Sequence, residues 1–163
     1  MVSFRVRPAG PGFIVKLMAL LSGLIAIACA GLFAGAAVYV SLVEHPARMA
    51  CGLRVALTQF RPSYRRAAVM QASLATVGAL VALARWLAGG QAGWLVGALL
   101  LVFAIVFTLV VIMPTNQRLL DPGLEPESPE AGTLLRRWER LHAVRSVAGC
   151  AAFGLFMTSL AGG

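Results

Sequence analysis

A chain of 163 residues with 60% hydrophobic and 12% charged side chains lies outside the range of a soluble domain, which carries about 25% charged residues. Fourteen basic against six acidic residues leave a net charge of +8. In a soluble protein that excess would point to nucleic acid, but here the basic residues flank apolar runs, where they orient helices and meet anionic lipid.

Four apolar runs follow in order: 17–43, 67–88, 93–113 and 143–161. Each is long enough to cross a hydrocarbon layer of about 30 Å, which takes about 20 helical residues. Backbone polar groups inside lipid must bond within their own segment, so the runs are helices. A barrel would alternate polar and apolar residues, and Leu95–Met113 does not. The expectation is an all-α, integral membrane four-helix bundle in a single domain over residues 1–163. Two small loops offer no element that reads a nucleic-acid groove. The cysteines Cys29, Cys51 and Cys150 form no CxxC pair and indicate neither a zinc site nor a disulfide framework.

The chain begins with a polar tail over residues 1–12, rich in proline and glycine. Arg5, Arg7 and Lys16 ahead of an apolar run, with Ala28-Cys29-Ala30 behind, have the outline of a secretory signal. A signal's apolar core is about 7–15 residues long. This run continues unbroken to Val43, so a retained helix is expected. Gly23, Ile27, Gly31 and Gly35 recur every four residues and predict a stripe for close helix approach. Pro46 is expected to end the first helix near His45. Residues 47–60 then read as a short interfacial helix, with Met49, Leu53, Leu57 and Phe60 at helical spacing. Residues 61–66 read as a turn whose arginines and Tyr64 anchor the second span. That span ends at Arg85-Trp86, and the third at Met113-Pro114. Ser128-Pro129-Glu130 is a helix start: a capping hydroxyl, a proline in the first turn, and a carboxylate at the positive end of the dipole.

Counting Lys and Arg puts the first and third links in the cytoplasm and both termini outside, by the positive-inside rule in a bacterial inner membrane. Those two links lie on one side, and the chemistry gathers there. Glu44 and His45 close the first span, and Pro114-Thr115-Asn116 closes the third. Trp138, His142 and Arg145, at i, i+4 and i+7, share one helix face that continues into the membrane through Gly149. Each has a structural reading: Trp138 anchors an interface, Arg145 snorkels, Asn116 caps, and Glu44 pairs with Arg145 or Arg48. Together they make a site. A histidine is a general base near neutrality, and arginine and an amide hold a developing oxyanion. A carboxylate can orient the histidine, and tryptophan is a flat surface for an aromatic ligand. Glu44, His45 and His142 also offer a metal set of two imidazoles and a carboxylate, or His45 and His142 a haem pair.

The Glu44-His45-Pro46 end of the first span, Pro114-Thr115-Asn116, and the Trp138-x-x-x-Leu141-His142-x-x-Arg145 start of the fourth resemble the anthrone oxygenase-like family of small four-helix membrane proteins. The resemblance implies the fold, and an oxidation by molecular oxygen without an evident cofactor. It implies Asn116, Trp138, His142 and Arg145 as site residues. The expected function is therefore a cofactor-independent oxygenase acting on a small lipophilic aromatic. His142, Glu44 and Arg145 would be catalytic, and Asn116, Trp138, His45 and Tyr64 would bind substrate. The rival from another class is a non-catalytic module that binds lipid or a partner protein, in which Glu44 and Arg145 form a closed ion pair with no cavity beside them. The expected partners are membrane lipids and a small lipophilic molecule, with self-association as a further expectation and nucleic acid excluded.

Overall fold

The computed structural model describes residues 10–162, so most of the expected polar tail, with Arg5 and Arg7, falls outside the described residues. All its regular elements are helical. Helix α1 (Pro11–Tyr39) runs through a π-helical turn, Val40–Glu44, into α2 (His45–Ala50). Helix α3 spans Leu53–Leu87. Helix α4 (Ala92–Phe107) runs through a second π-helical turn, Thr108–Ile112, into α5 (Met113–Leu120), and α6 spans Pro129–Ala161. The result is four rods, Gly12–Ala50, Leu53–Leu87, Ala92–Leu120 and Pro129–Ala161, each long and apolar enough to cross a membrane. Their outer faces carry large apolar side chains in the open, Leu80, Val110 and Val147 among them, each more than 60% exposed. Water would not tolerate such a surface, and lipid does. The protein is an integral membrane four-helix bundle.

The first three rods are longer than their apolar runs because three prolines do not stop them. Proline lacks an N–H and its ring crowds the carbonyl four residues back. At Pro46 and Pro114 the preceding turn widens to π geometry, and the helix continues in register with its new neighbours. Pro62 sits inside α3, so residues 61–66 are helix and not the expected turn. The expected interfacial helix over 47–60 is likewise corrected. The chain breaks at Cys51-Gly52, where Gly52 takes φ 94°, and α3 starts at Leu53. The spacing of Met49, Leu53 and Leu57 is helical on either side of the break, which hides it in the sequence.

The α3–α4 link closes in a Schellman arrangement: Gly90 N–H donates to Arg85 O and Gly89 N–H to Trp86 O, each at 3.0 Å, with Gly89 at φ 90°. At the other end Ser128 caps α6 as expected, its Oγ accepting from Ala131 N–H at 3.1 Å. The loop 121–128 is tied down by charge. The Gly123 N–H and Arg118 hold the Asp121 carboxyl below the usual carboxylate range, and Arg54, donating to Glu127 at 2.9 Å, does the same there. Arg61 fastens α3 to the end of α5 by donating to Leu119 O and Asp121 O.

In the bundle α1 packs on α3 and α6, and α4 packs on the same two from the opposite corner. Adjacent rods are antiparallel. Small residues allow close approach: a Cβ on Gly149 would lie 2.7 Å from the Phe33 ring, and one on Gly31 would meet Phe153 at 3.0 Å. Gly35 has nothing within 4 Å, so the expected glycine stripe is broken at that member. The interior has two apolar clusters. One is alanine-rich, with Phe33, Trp94, Leu101 and Phe156; the other holds Leu57, Phe60, Leu119, Leu135 and Trp138. Between them lies a polar layer. Along α3, Tyr64 and Gln71 fall between Phe60 and Ala75; along α6, His142 to Ser146 fall between Trp138 and Ala152.

Candidate functional site

The polar layer encloses a cavity of about 90 Å³, walled by Glu44, Tyr64, Gln71, Asn116, His142 and Arg145, with Phe60 and Trp138 among its apolar sides. The wall residues are delivered by four parts of the fold. The first π-helical turn carries Glu44, and the second precedes the turn of α5 that carries Thr115 and Asn116, both buried. The uninterrupted α3 brings Tyr64 and Gln71 to the same level. On α6 the i, i+4, i+7 spacing presents Trp138, His142 and Arg145 along one face, as the sequence suggests.

The hydrogen bonds divide these groups into four sets. Glu44 Oε1 accepts from Arg48, from Gln59 Nε2 at 2.9 Å and from Ser63 Oγ at 3.3 Å. It makes no bond to His142, so the expected orientation of His142 by Glu44 is replaced by three other partners. Arg145 donates to Gln71 Oε1 at 2.5 Å, its guanidinium lies 5.1 Å from the centre of the Phe33 ring, and its Nε has no partner among the described residues. The closed Glu44–Arg145 pair of the rival reading is not formed. Asn116, fully buried, donates from Nδ2 to Tyr64 Oη at 3.0 Å and leaves Oδ1 without a partner among the described residues. His142 is held from behind by hydroxyls: its Nδ1 lies 3.0 Å from Ser41 Oγ and 3.4 Å from Ser146 Oγ.

Six of the seven expected site residues therefore meet at one cavity. The exception is His45. It is wholly buried but outside the cavity lining, 5.3 Å from Trp138 ring to ring, with neither ring nitrogen hydrogen-bonded among the described residues and Glu139 at 4.0 Å. Trp138 stacks on His142 at 4.6 Å and meets Phe60 edge-on at 5.2 Å, so its indole is a rigid wall between polar layer and apolar cluster. Among the described residues no three His, Cys, Asp or Glu side chains gather at metal-ligand spacing, and the expected set of Glu44, His45 and His142 is not assembled as one.

Sequence reading missed Gln59, Ser63 and Gln71, which hold Glu44 and Arg145, and Ser41 and Ser146, which hold His142. Gln71 stands in an apolar span, and Ser146 lies one helical turn beyond His142 on the same face. Both were findable by the same spacing that exposes Arg145. Ser41 was not, because a π-helical turn shifts its direction.

A second cavity of about 120 Å³ adjoins the first and shares Tyr64, Ala68, Gln71 and Arg145 as its partition. Apart from Thr108, its remaining walls are apolar: Phe33 from α1, and Ala72, Ile105, Leu109 and Met113 among those between α3 and the α4–α5 rod. The arrangement as a whole offers an imidazole, a cation and an amide around one pocket. That is the equipment for removing a proton from carbon or oxygen and holding the anion that results.

The sequence profile described as anthrone oxygenase matches residues 60–155, more than half of the chain. The matched stretch contains Tyr64, Asn116, Trp138, His142 and Arg145 and leaves out Glu44 and His45. No curated protein and no solved structure matches the chain.

Proposed function

Because this chain belongs to the anthrone oxygenase family, we propose that its polar layer oxidises a small lipophilic aromatic ketone with molecular oxygen. The observation that carries this reading is the convergence of His142, Arg145, Asn116 and Tyr64 on one buried cavity. His142 takes a proton from the methylene beside the aromatic rings. The electron pair left behind spreads onto the ketone oxygen as an enolate, which Arg145 and the Asn116–Tyr64 pair stabilise by hydrogen bonds. The enolate gives its electrons to oxygen and forms a C–O bond at the former methylene carbon. The hydroperoxide so made loses water, so that CH₂ and O₂ become C=O and H₂O. Trp138 and Phe60 supply the flat apolar wall. Glu44 stays with Arg48, which lines the same cavity, and keeps that buried cation neutralised.

The cavity of about 90 Å³ is below the roughly 300–1,000 Å³ of small-molecule sites. With the adjoining cavity of about 120 Å³ the space is still below that range, so an aromatic substrate spans both cavities by moving the Tyr64–Arg145 partition aside, and arrives from lipid between α3 and the α4–α5 rod. The first and third links face the cytoplasm of a bacterial inner membrane. Arg54, Arg61, Arg65, Arg66, Arg118, Arg136, Arg137 and Arg140 stand at that end of the bundle, against Lys16 and Arg85 at the other.

Reaction of unsubstituted anthrone with the purified protein under ¹⁸O₂ tests the reaction class. The new carbonyl should carry one labelled oxygen and form well above the rate in empty detergent. A rate equal to that background would end the oxygenase reading.

A further inference from the structure

The imidazole assigned as base has a second side, and its hydrogens can be counted. His142 Nδ1 lies 3.0 Å from Ser41 Oγ. Ser41 Oγ lies 3.2 Å from Ser146 Oγ, and Ser146 Oγ lies 2.9 Å from the carbonyl oxygen of His142 itself. A carbonyl only accepts, so the single hydrogen of Ser146 goes there. Ser146 Oγ is then an acceptor in every other contact. The Ser41 hydrogen has two acceptors in reach, Ser146 Oγ and Nδ1. Sent to Nδ1, it would leave two hydroxyl oxygens facing each other with no hydrogen between them. Sent to Ser146, it leaves Ser41 Oγ free to accept from a protonated Nδ1. Only this second arrangement gives each of the three contacts one hydrogen. The chain of donors then runs Nδ1–H to Ser41, Ser41 to Ser146, and Ser146 to the His142 carbonyl.

A neutral imidazole carries one ring hydrogen. With that hydrogen on Nδ1, Nε2 is bare. Nε2 makes no hydrogen bond among the described residues, and His142 lines the cavity. Ser41 reaches this place through the π-helical turn Val40–Glu44, the same five residues that absorb Pro46 and carry Glu44 into the cavity. π-helical turns recur at functional sites because they redirect single side chains in this way.

We infer that Ser41 is a positioning residue: the closed hydroxyl chain through Ser41 and Ser146 fixes the His142 tautomer that leaves Nε2 unprotonated toward the cavity. The catalytic part of this inference rests on the reading of His142 as the base; the tautomer itself does not. The chain has only two histidines, so ¹⁵N-histidine labelling resolves the ring directly, with His45→Gln identifying the second signal set. At neutral pH the His142 ring should show a protonated Nδ1 and an unprotonated Nε2. Ser41→Ala should lose that preference, and Ser41→Thr, which keeps the hydroxyl, should retain it. With unsubstituted anthrone, Ser41→Ala should lower kcat by roughly 10- to 100-fold, the size of loss seen when the hydrogen-bond partner that orients a metal-ligating histidine is removed. KM should be unchanged, and Ser41→Thr should restore kcat. A protonated Nε2 in the unaltered protein overturns the inference even if Ser41→Ala fails to fold, as does a tautomer indifferent to Ser41→Ala. A Ser41-dependent Nδ1–H tautomer in a protein that leaves anthrone untouched would sink the oxidation reading alone.

Discussion

Asn116 shows how much one side chain can demand of its surroundings. Its amide is fully buried, spends one donor on Tyr64 Oη, and keeps Oδ1 unpartnered among the described residues. Removing the hydroxyl with Tyr64→Phe strands that donor, at a cost of about 1–3 kcal/mol, the penalty for a buried polar group without a partner. Asn116→Leu removes the demand itself. The two changes should therefore not add: once Asn116 is gone, Tyr64→Phe should cost less by about 0.5–3 kcal/mol, a coupling typical of contacting residues. Unfolding in detergent of the two single variants and the double variant measures this, and strict additivity would break the proposed Asn116–Tyr64 unit. At this scale the sequence was most readable where spacing on one helix decides, as for Trp138, His142 and Arg145. It was least readable where the partner comes from another rod. Nothing local says that Gln71 will meet Arg145, or that Glu44 will prefer Gln59 and Ser63 to His142.

At the scale of helices, the apolar runs announce the spans but not their ends. Proline at 46, 62 and 114 is read as a stop from local chemistry alone. In the bundle, widened turns absorb the clash at two of the three and neighbouring rods hold the helix on course. The first of those widened turns places Ser41 and Glu44, so the errors about helix ends are also the reasons the site was only half legible. Small residues are easier to judge once packing is known. Gly149→Val would drive its side chain against Phe33, the ring beneath Arg145, and should destabilise by about 1–3 kcal/mol, as overpacking does. Gly35→Ala, in open space on the expected stripe, should stay within about 0.5 kcal/mol. Unfolding midpoints in one detergent distinguish the two, and equal losses would mean that α1 packs on α6 by another face.

At the scale of the molecule, fold class was fully legible, since four apolar runs of bilayer length leave few alternatives. The antiparallel order then brings the α2–α3 turn and the loop 121–128 to one end and the α3–α4 link to the other. With Cys29 and Cys150 replaced by alanine, the exposed native Cys51 and a Glu127→Cys variant should react with an impermeant thiol reagent from one face of the membrane, and a Gln91→Cys variant from the opposite face. Labelling of Cys51 and position 127 from different faces would take the shared cavity apart. The same architecture sets the chemical test, because a base sealed in the bundle has no solvent substitute. In lipid nanodiscs, oxygen consumption driven by unsubstituted anthrone is to be compared between the unaltered protein and His142→Ala, with helicity checked by circular dichroism. Proton abstraction by His142 predicts one O₂ consumed per anthrone and a rate at least about 100-fold lower in the folded variant, the low end of what a general base contributes. Equal rates in the two proteins would contradict it.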